Sequence, residues 1–465
     1  MASEEFDAIV IGSGQGGNPL ATAMAEAGWK TAVIEREHVG GTCVNVGCTP
    51  TKTLVASARV AYLARRARDF GVITGEGGSR AITVDMPAVI ERKRGVVATW
   101  RAGSEKALQT ENLTLIRGEG SFTGEHEVSV ALSGGGLKQV TAKKIFINTG
   151  TRASIPKIAG LRDVAFLNNE SIMELETLPE HLIVLGGGYI ALEFAQMFRR
   201  FGSAVTVVQK GAALAEHEDA DVSDEITAIL REDGIEVLLQ AEATGVQHKG
   251  TRTALTVKIN EAERTIEGTH LLVATGRTPN TEALHCERAG VELDGHGYVK
   301  ANARLETTAA EIWAIGDIKG GPAFTHISYD DYRVLRTNLL EGGNRAITGR
   351  PVPYTLFLDP ELGRIGMTEN EARDAGRQIK VAKMPMSSVA RAFESAETRG
   401  FLKAVVDAET DQILGAAILG VDGGEIAAQI QIAMMGQVTA STLREGIWSH
   451  PTRAEALNRL FSSYA

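Results

Sequence analysis

A glycine-rich turn set between a short apolar run and a helix-compatible stretch occurs twice in this chain. That repeat constrains the fold more than any other feature of its 465 residues. Residues 7–11 are an apolar run without alternation, as expected of a parallel strand buried on both faces. The turn Gly12-Ser-Gly14-Gln-Gly16-Gly17 follows. A helix is then expected over 15–27, closed by Gly28, and a second strand over 31–34, with Glu35 behind it. The unit recurs as a strand at 182–185, the turn Gly186-Gly-Gly188-Tyr189-Ile-Ala191, a helix to Phe201 and a strand at 204–208. Each unit is followed by a strand ending in Thr-Gly, at Thr149-Gly150 and Thr275-Gly276. Two such openings imply two nucleotide-type domains.

The last third reads differently. Residues 401–406 and 413–419 flank a polar turn and predict an antiparallel hairpin. Helical patterns are expected over 425–435 and 452–461, and Gly134 to Gly136 mark another hairpin tip. The expected fold class is therefore α/β, with two Rossmann-like dinucleotide-binding domains and a C-terminal α+β domain. Residues 1–150 and 277–345 form the first domain in two parts, 151–276 the second, and 346–465 the third.

Glycine is abundant, 51 residues, which suits a chain with many close backbone approaches. A net charge of −10 argues against nucleic acid, whose binding needs a cationic face, and against a polybasic membrane anchor. No apolar run approaches the ~18 residues of a spanning helix. The acidic start shows no signal peptide, and three cysteines make no secreted disulfide framework. The expected location is the cytoplasm.

In the first glycine turn, Gly12 makes the tight bend, Gly14 lets a pyrophosphate approach, Gly17 permits helix–strand packing, and Glu35 can accept a ribose hydroxyl. In the second, Gly186 and Gly188 play the same parts. Its second strand ends in Gln209-Lys210 rather than a carboxylate, which predicts NADPH as donor, with NADH possible. The run Gly40-Gly-Thr42-Cys43-Val-Asn-Val-Gly-Cys48-Thr-Pro-Thr-Lys52 holds two of the three cysteines. One helical turn would bring their sulfurs close, and a helix N-terminus would acidify a thiol. Neither the spacing nor nearby histidines supports zinc, and no metal site is expected. Cys286 reads as a buried structural thiol. In Ser449-His450-Pro451-Thr452-Arg453-Ala454-Glu455, Pro451 suits a first helical turn, with His450 at its mouth. Glu455 can fix the imidazole tautomer, giving a general base for a thiol. Arg65 and Arg66 are expected to be surface side chains.

These motifs, with Ala274-Thr-Gly-Arg277-Thr-Pro-Asn280 and Ala314-Ile-Gly-Asp317, occur in the order of the flavin-dependent pyridine nucleotide–disulfide oxidoreductases. This is the family of dihydrolipoamide dehydrogenase, glutathione reductase and mercuric reductase, and the chain resembles it over nearly its whole length. The resemblance implies FAD on Gly12–Gly17 and Glu35, with Asp317 at the ribityl chain. It adds Thr42, Gly120, Thr149, Gly150, Gly276 and Arg277 to the cofactor contacts. It makes Cys43 and Cys48 a redox-active disulfide, with Cys48 the thiol against the flavin and Cys43 the interchange thiol. It sets Lys52 near the flavin, paired with Glu193, and makes Tyr189 a gate to the nicotinamide pocket. It also implies a homodimer in which His450 and Glu455 complete the partner's active site.

The stretches 321–335, 399–407 and 450–461 resemble the mercuric-reductase-like, reactive-chlorine-resistance branch. Mercury detoxification itself calls for an N-terminal metal-binding C-x2-C domain and C-terminal paired cysteines, and neither is expected from this sequence. The expected activity is electron transfer from NADPH, through FAD and the cysteine pair, to a small disulfide, an oxidised sulfur species or a soft metal ion. An NAD-linked dihydrolipoamide dehydrogenase is the alternative enzyme, and a low-turnover flavin redox sensor the alternative of another kind.

Overall fold

The structure is a computed structural model that describes residues 3–73 and 82–464. Met1, Ala2 and Ala465, parts of the acidic start and of the cysteine-free tail, lie outside them. The chain forms two compact units, one of residues 1–53, 88–154 and 276–350, the other of 54–87, 155–275 and 351–465.

The first unit is built on the strand Glu4–Ile11, which pairs in parallel with Thr31–Glu35 on one side and Leu137–Ile147 on the other. The sheet continues in parallel to Leu113–Gly124 and to Ile312–Ala314. Leu113–Gly124, Glu127–Leu132 and Leu137–Ile147 also form an antiparallel meander, with the Gly134–Gly136 tip in its last turn. Val10 and Val33 bury one face of this sheet against helix Gly17–Glu26, while Ile9, Ile34 and Ile145 bury the other. Burial on both faces is why these strands read as unbroken apolar runs.

The second unit contains three sheets. His270–Val273, His181–Leu185, Ala204–Val208 and Glu236–Leu238 make a four-stranded parallel sheet, beside which Tyr189–Phe201 supplies the crossover helix. Glu242–Lys249, Arg252–Ile259 and Ala262–Gly268 form an antiparallel meander. A five-stranded antiparallel sheet includes the expected hairpin Phe401–Asp407 with Ile413–Gly420, covered by helix Gly423–Met435.

Three local expectations are corrected. The helix expected over 452–461 is confined to Ala456–Leu460, and Pro451 lies outside it, joined to His450 by a cis peptide bond. The first crossover helix begins at Gly17, because residues 13–16 are spent on the turn. Arg65 and Arg66 are not simple surface groups. Arg65 donates to the Arg200 carbonyl, and Arg66 ion-pairs with Glu397 at 3.2 Å. Arg66 also packs with Arg59, Arg200 and Arg399 around the Tyr62 ring, Arg200 at 3.9 Å from its centroid. Asp359 anchors this cluster through Arg59 and Arg200. Burial opposes its ionisation, but those two cations outweigh it and hold the carboxyl below its ordinary range.

Candidate active site

Residues five apart on one straight helix point about 140° apart around its axis, so a single turn would not bring Cys43 and Cys48 together. The chain breaks instead. Helix Gly41–Asn45 carries Cys43, Val46 leaves helical dihedrals, and a second helix, Cys48–Arg66, starts at the other cysteine. Gly47 lies in the break, where a Cβ would sit 2.8 Å from the Thr42 carbonyl oxygen. Both thiols are in the reduced form.

The break makes the two sulfurs unlike. Cys48 is brought down to about 6, first by the hydrogen bond from Cys43. Burial opposes this, while the Thr325 hydroxyl, Lys52 one turn along the helix and the backbone N–H at the helix start add to it. Cys43 is pushed far up by the same hydrogen bond and by burial. The pair is thus a thiolate at 48 and a thiol at 43. Thr325, 3.2 Å from the Cys48 sulfur, opens helix Thr325–Leu340 and was not singled out in the sequence. Its only signal was its place in the stretch 321–335.

Because unfolded cysteine titrates near ~8.5, the folded value is depressed. The thiolate's contribution to stability is full above the unfolded value and is lost as pH falls through about 6. Thr325→Val removes one charge-assisted hydrogen bond and is expected to raise the Cys48 value by about one unit. A pH titration of the thiolate–flavin absorbance in the reduced holoenzyme measures it; an unmoved midpoint would remove Thr325 from the site.

The first glycine turn is shaped for close approach. Gly12 has φ +99°, and a Cβ there would run into the Asn148 carbonyl oxygen; at Gly14 it would lie 2.9 Å from Asn148 Nδ2, at Gly17 2.5 Å. Glu35 closes the turn, accepting from Ser13 N at 2.9 Å and Ser13 Oγ at 2.6 Å. An extended anionic cofactor fits this bare backbone opening a helix, with a carboxylate beside it, so the residues suit FAD. Gly120 is buried on strand Leu113–Gly124, next to Ile11 and Ile34, and Thr42 is exposed on the Cys43 helix. Thr149 and Gly150 are tied to Asn280 (Asn280 Nδ2 to Thr149 O 2.8 Å, Asn280 N to Gly150 O 3.0 Å). Gly276 and Arg277 belong to the same neighbourhood. Arg277 donates to Thr151 Oγ1 at 2.7 Å, and that hydroxyl donates to Asp317 at 3.1 Å, in the turn after strand Ile312–Ala314.

In the second unit Gly186, at φ +123°, lies against the Ala274 carbonyl, and Gly188 faces open space at the start of the crossover helix. Tyr189 and Tyr354 both donate to Glu218 Oε1 at 2.6 Å, and Glu218 ion-pairs with Arg364 at 3.0 Å. Burial and then Glu218 push both phenols up, Tyr354 to about 12. Glu193 is buried on the same helix and accepts from Phe357 N at 2.9 Å. Gln209 lies over Gly187. Lys210, expected as the cation for a 2′-phosphate, is paired with Glu242 at 2.8 Å.

His450 Nδ1 meets Glu455 Oε2 at 2.9 Å and Oε1 at 3.1 Å. The carboxylate can only accept, so Nδ1 carries the hydrogen and Nε2 is left to take a proton. The imidazole is 71% exposed and the Glu455 side chain 19%. On the same unit Phe393, Ile432, Met435 and Ile447 are exposed apolar side chains. Cys286 is buried, and burial raises its thiol to about 11. Among the described residues no group of three or more His, Cys, Asp or Glu could hold a metal ion, and no helix is long and apolar enough to cross a membrane.

Comparison with known proteins places this geometry. Residues 6–331 match the family described as pyridine nucleotide-disulphide oxidoreductase, and 352–461 match that family's dimerisation domain. The chain is 38% identical to the probable pyridine nucleotide-disulfide oxidoreductase RclA of Escherichia coli (strain K12), over 98% of this chain and 99% of that one. It is 34% identical to a mercuric reductase of Staphylococcus aureus, over 97% and 81%. Among solved structures, the Cu(II) complex of HOCl-induced flavoprotein disulfide reductase RclA from Escherichia coli superposes with a TM-score of 0.89 at 38% identity, covering 99% of both chains.

Proposed function

The chain belongs to the pyridine nucleotide–disulphide oxidoreductases, flavoproteins that use FAD with NAD(P)H, and on that premise we propose that it reduces a small disulfide, an oxidised sulfur species or a soft metal ion through Cys43 and Cys48. The observation that carries this reading is the placement of the two thiols, Cys43 on one short helix and Cys48 at the start of the next with the Thr325 hydroxyl 3.2 Å from its sulfur, where the Cys48 thiol is held below its ordinary range.

FAD, when bound, supplies the two-electron link between the nicotinamide donor and the cysteine pair. We assign it to the domain of residues 1–150 and 277–345, on Gly12, Gly14, Gly17 and Glu35, with Asp317, Thr42, Gly120, Thr149 and Gly150 around it. Residues 151–276 take the dinucleotide, on Gly186 and Gly188, with Tyr189 at the nicotinamide end. Lys52, one helical turn from Cys48, steadies the flavin end of the site.

The chemistry of the chain's own residues starts from the reduced pair. The imidazole Nε2 of the partner subunit's His450 takes the Cys43 proton, and Glu455 supports the imidazolium. The Cys43 thiolate attacks one acceptor sulfur, forming a mixed disulfide and releasing the other as a thiolate. That thiolate takes the proton from His450. The Cys48 thiolate then attacks Cys43 Sγ, expelling the second product thiolate, which takes a proton from water, and regenerating the Cys43–Cys48 disulfide. A soft metal ion would meet the same two sulfurs as ligands. The dimerisation domain of residues 346–465, with its exposed apolar side chains, is where two copies would meet. The sparse cysteines suit action in the cytoplasm.

Steady-state oxidation of NAD(P)H by the FAD-loaded dimer, with small disulfides, oxidised thiols, Cu(II) and Hg(II) as acceptors, tests the reading. At least one acceptor class should turn over in a Cys43-dependent manner. Fast NAD-linked oxidation of dihydrolipoamide would favour the dehydrogenase instead, and no flux with any acceptor would favour a sensor.

A further inference from the structure

In a βαβ unit the residues just after the second strand meet the adenosine ribose, so its 2′ position faces the loop that begins at Gln209. That loop is held at both ends. Ala215, at φ +48°, donates its N–H to the Gly187 carbonyl at 2.9 Å, on the glycine turn itself. Three residues on, Glu218 is locked to Tyr189, Tyr354 and Arg364. Glu216 lies between these anchors, and its carboxylate folds back onto Gly211, where a Cβ would collide with Oε1. The Gln209 amide flanks the same spot, 2.8 Å from that Cβ position.

The charges around this spot do not make a phosphate pocket. Lys210, beside Gly211, shares its charge with Glu242 at 2.8 Å. Lys258 stands across from Glu242 in the meander and is paired with Glu261 at 2.8 Å. With Glu216 added, carboxylates outnumber ammonium groups. A 2′-phosphate carries nearly two negative charges at neutral pH and would enter a field of its own sign. A ribose hydroxyl would instead find acceptors.

We propose that Glu216, with Glu242, makes the second nucleotide site discriminate against a 2′-phosphate, so that the chain takes NADH in preference to NADPH. This rests on the reading above that a nicotinamide dinucleotide binds over Gly186 and Gly188. It reverses the donor expected from Gln209-Lys210, because the opposing carboxylates come from a loop and a strand outside that dipeptide.

The test uses the FAD-loaded dimer and two probes that differ only in the 2′-phosphate, 5′-AMP and 2′,5′-ADP, titrated by calorimetry. Wild type should bind 5′-AMP at least about fivefold more tightly, as expected for net repulsion at an exposed site. Salt should narrow the gap. Glu216→Gln combined with Glu242→Gln should bring the ratio to one or reverse it. Gly211→Ala, which displaces the Glu216 carboxylate, should narrow it by itself. Anaerobic flavin reduction should favour NADH over NADPH in the same order. Tighter binding of 2′,5′-ADP by wild type, or variants that move both probes equally, would overturn the proposal while leaving the pyridine-nucleotide reading intact. Binding of neither probe, with reduction by neither NADH nor NADPH, would overturn both.

Discussion

Replacing Cys43 with serine is expected to cut reduction of a disulfide acceptor by about 10³-fold or more while leaving flavin reduction by the nucleotide donor near its wild-type rate. The two cysteines differ in what they can do. Cys48 is already ionised near neutral pH, held by the Cys43 hydrogen, Thr325, Lys52 and a helix N-terminus, and stabilisation of that kind lowers nucleophilicity along with the pKa. Cys43 keeps its proton until a base removes it, and then it is the stronger nucleophile. A serine at 43 retains an O–H that can donate to Cys48, so the thiolate and its interaction with oxidised flavin should survive the substitution. Cys43→Ala removes that donor as well, and should raise the Cys48 value above about 6. Separate half-reactions, followed in a stopped-flow instrument, distinguish the steps. Acceptor turnover by Cys43→Ser at the wild-type rate would mean that Cys48 is the attacking sulfur.

His450→Ala is expected to slow the half-reaction with disulfide by about 10²–10⁴-fold, the usual cost of losing a general base. The Nδ1–Glu455 contact fixes which nitrogen is free, and the imidazole is exposed to take a proton from outside its own segment. A hybrid dimer of one Cys43→Ser and one His450→Ala subunit separates the two possible arrangements. If each histidine serves its partner's cysteines, the hybrid keeps one intact site. If each serves its own subunit, both sites are broken. An active hybrid is the expected result; rates of the His450→Ala homodimer within about threefold of wild type would refute the role itself.

What could be seen in the sequence follows from chain distance. Each glycine turn, its flanking strands and its helix are contiguous, and burial on both faces leaves unbroken apolar runs, so both nucleotide folds are legible in the sequence. The cysteine motif was visible for the same reason, although its spacing suggested one turn where the chain makes two abutting helices. The groups that tune the site were hidden, because they arrive from far away. Thr325 is 277 residues from Cys48, and Tyr354 is 136 from the Glu218 it shares with Tyr189. Glu242 belongs to a meander that no motif marks, and it pairs with Lys210. Arg66, which read as solvated, is drawn inward by Glu397 and Tyr62. Local pattern reports the scaffold, whereas the electrostatics of the site depends on partners that only folding supplies.

Anaerobic titration of the FAD-loaded dimer with NADH, recorded across the visible spectrum at a series of pH values, tests the coupling of Cys48 to the flavin most directly. The first electron pair should produce a long-wavelength band from a thiolate beside oxidised flavin, fading as pH falls through about 6. Bleaching of the flavin by that first pair with no such band at any pH would show that the cysteines do not receive its electrons.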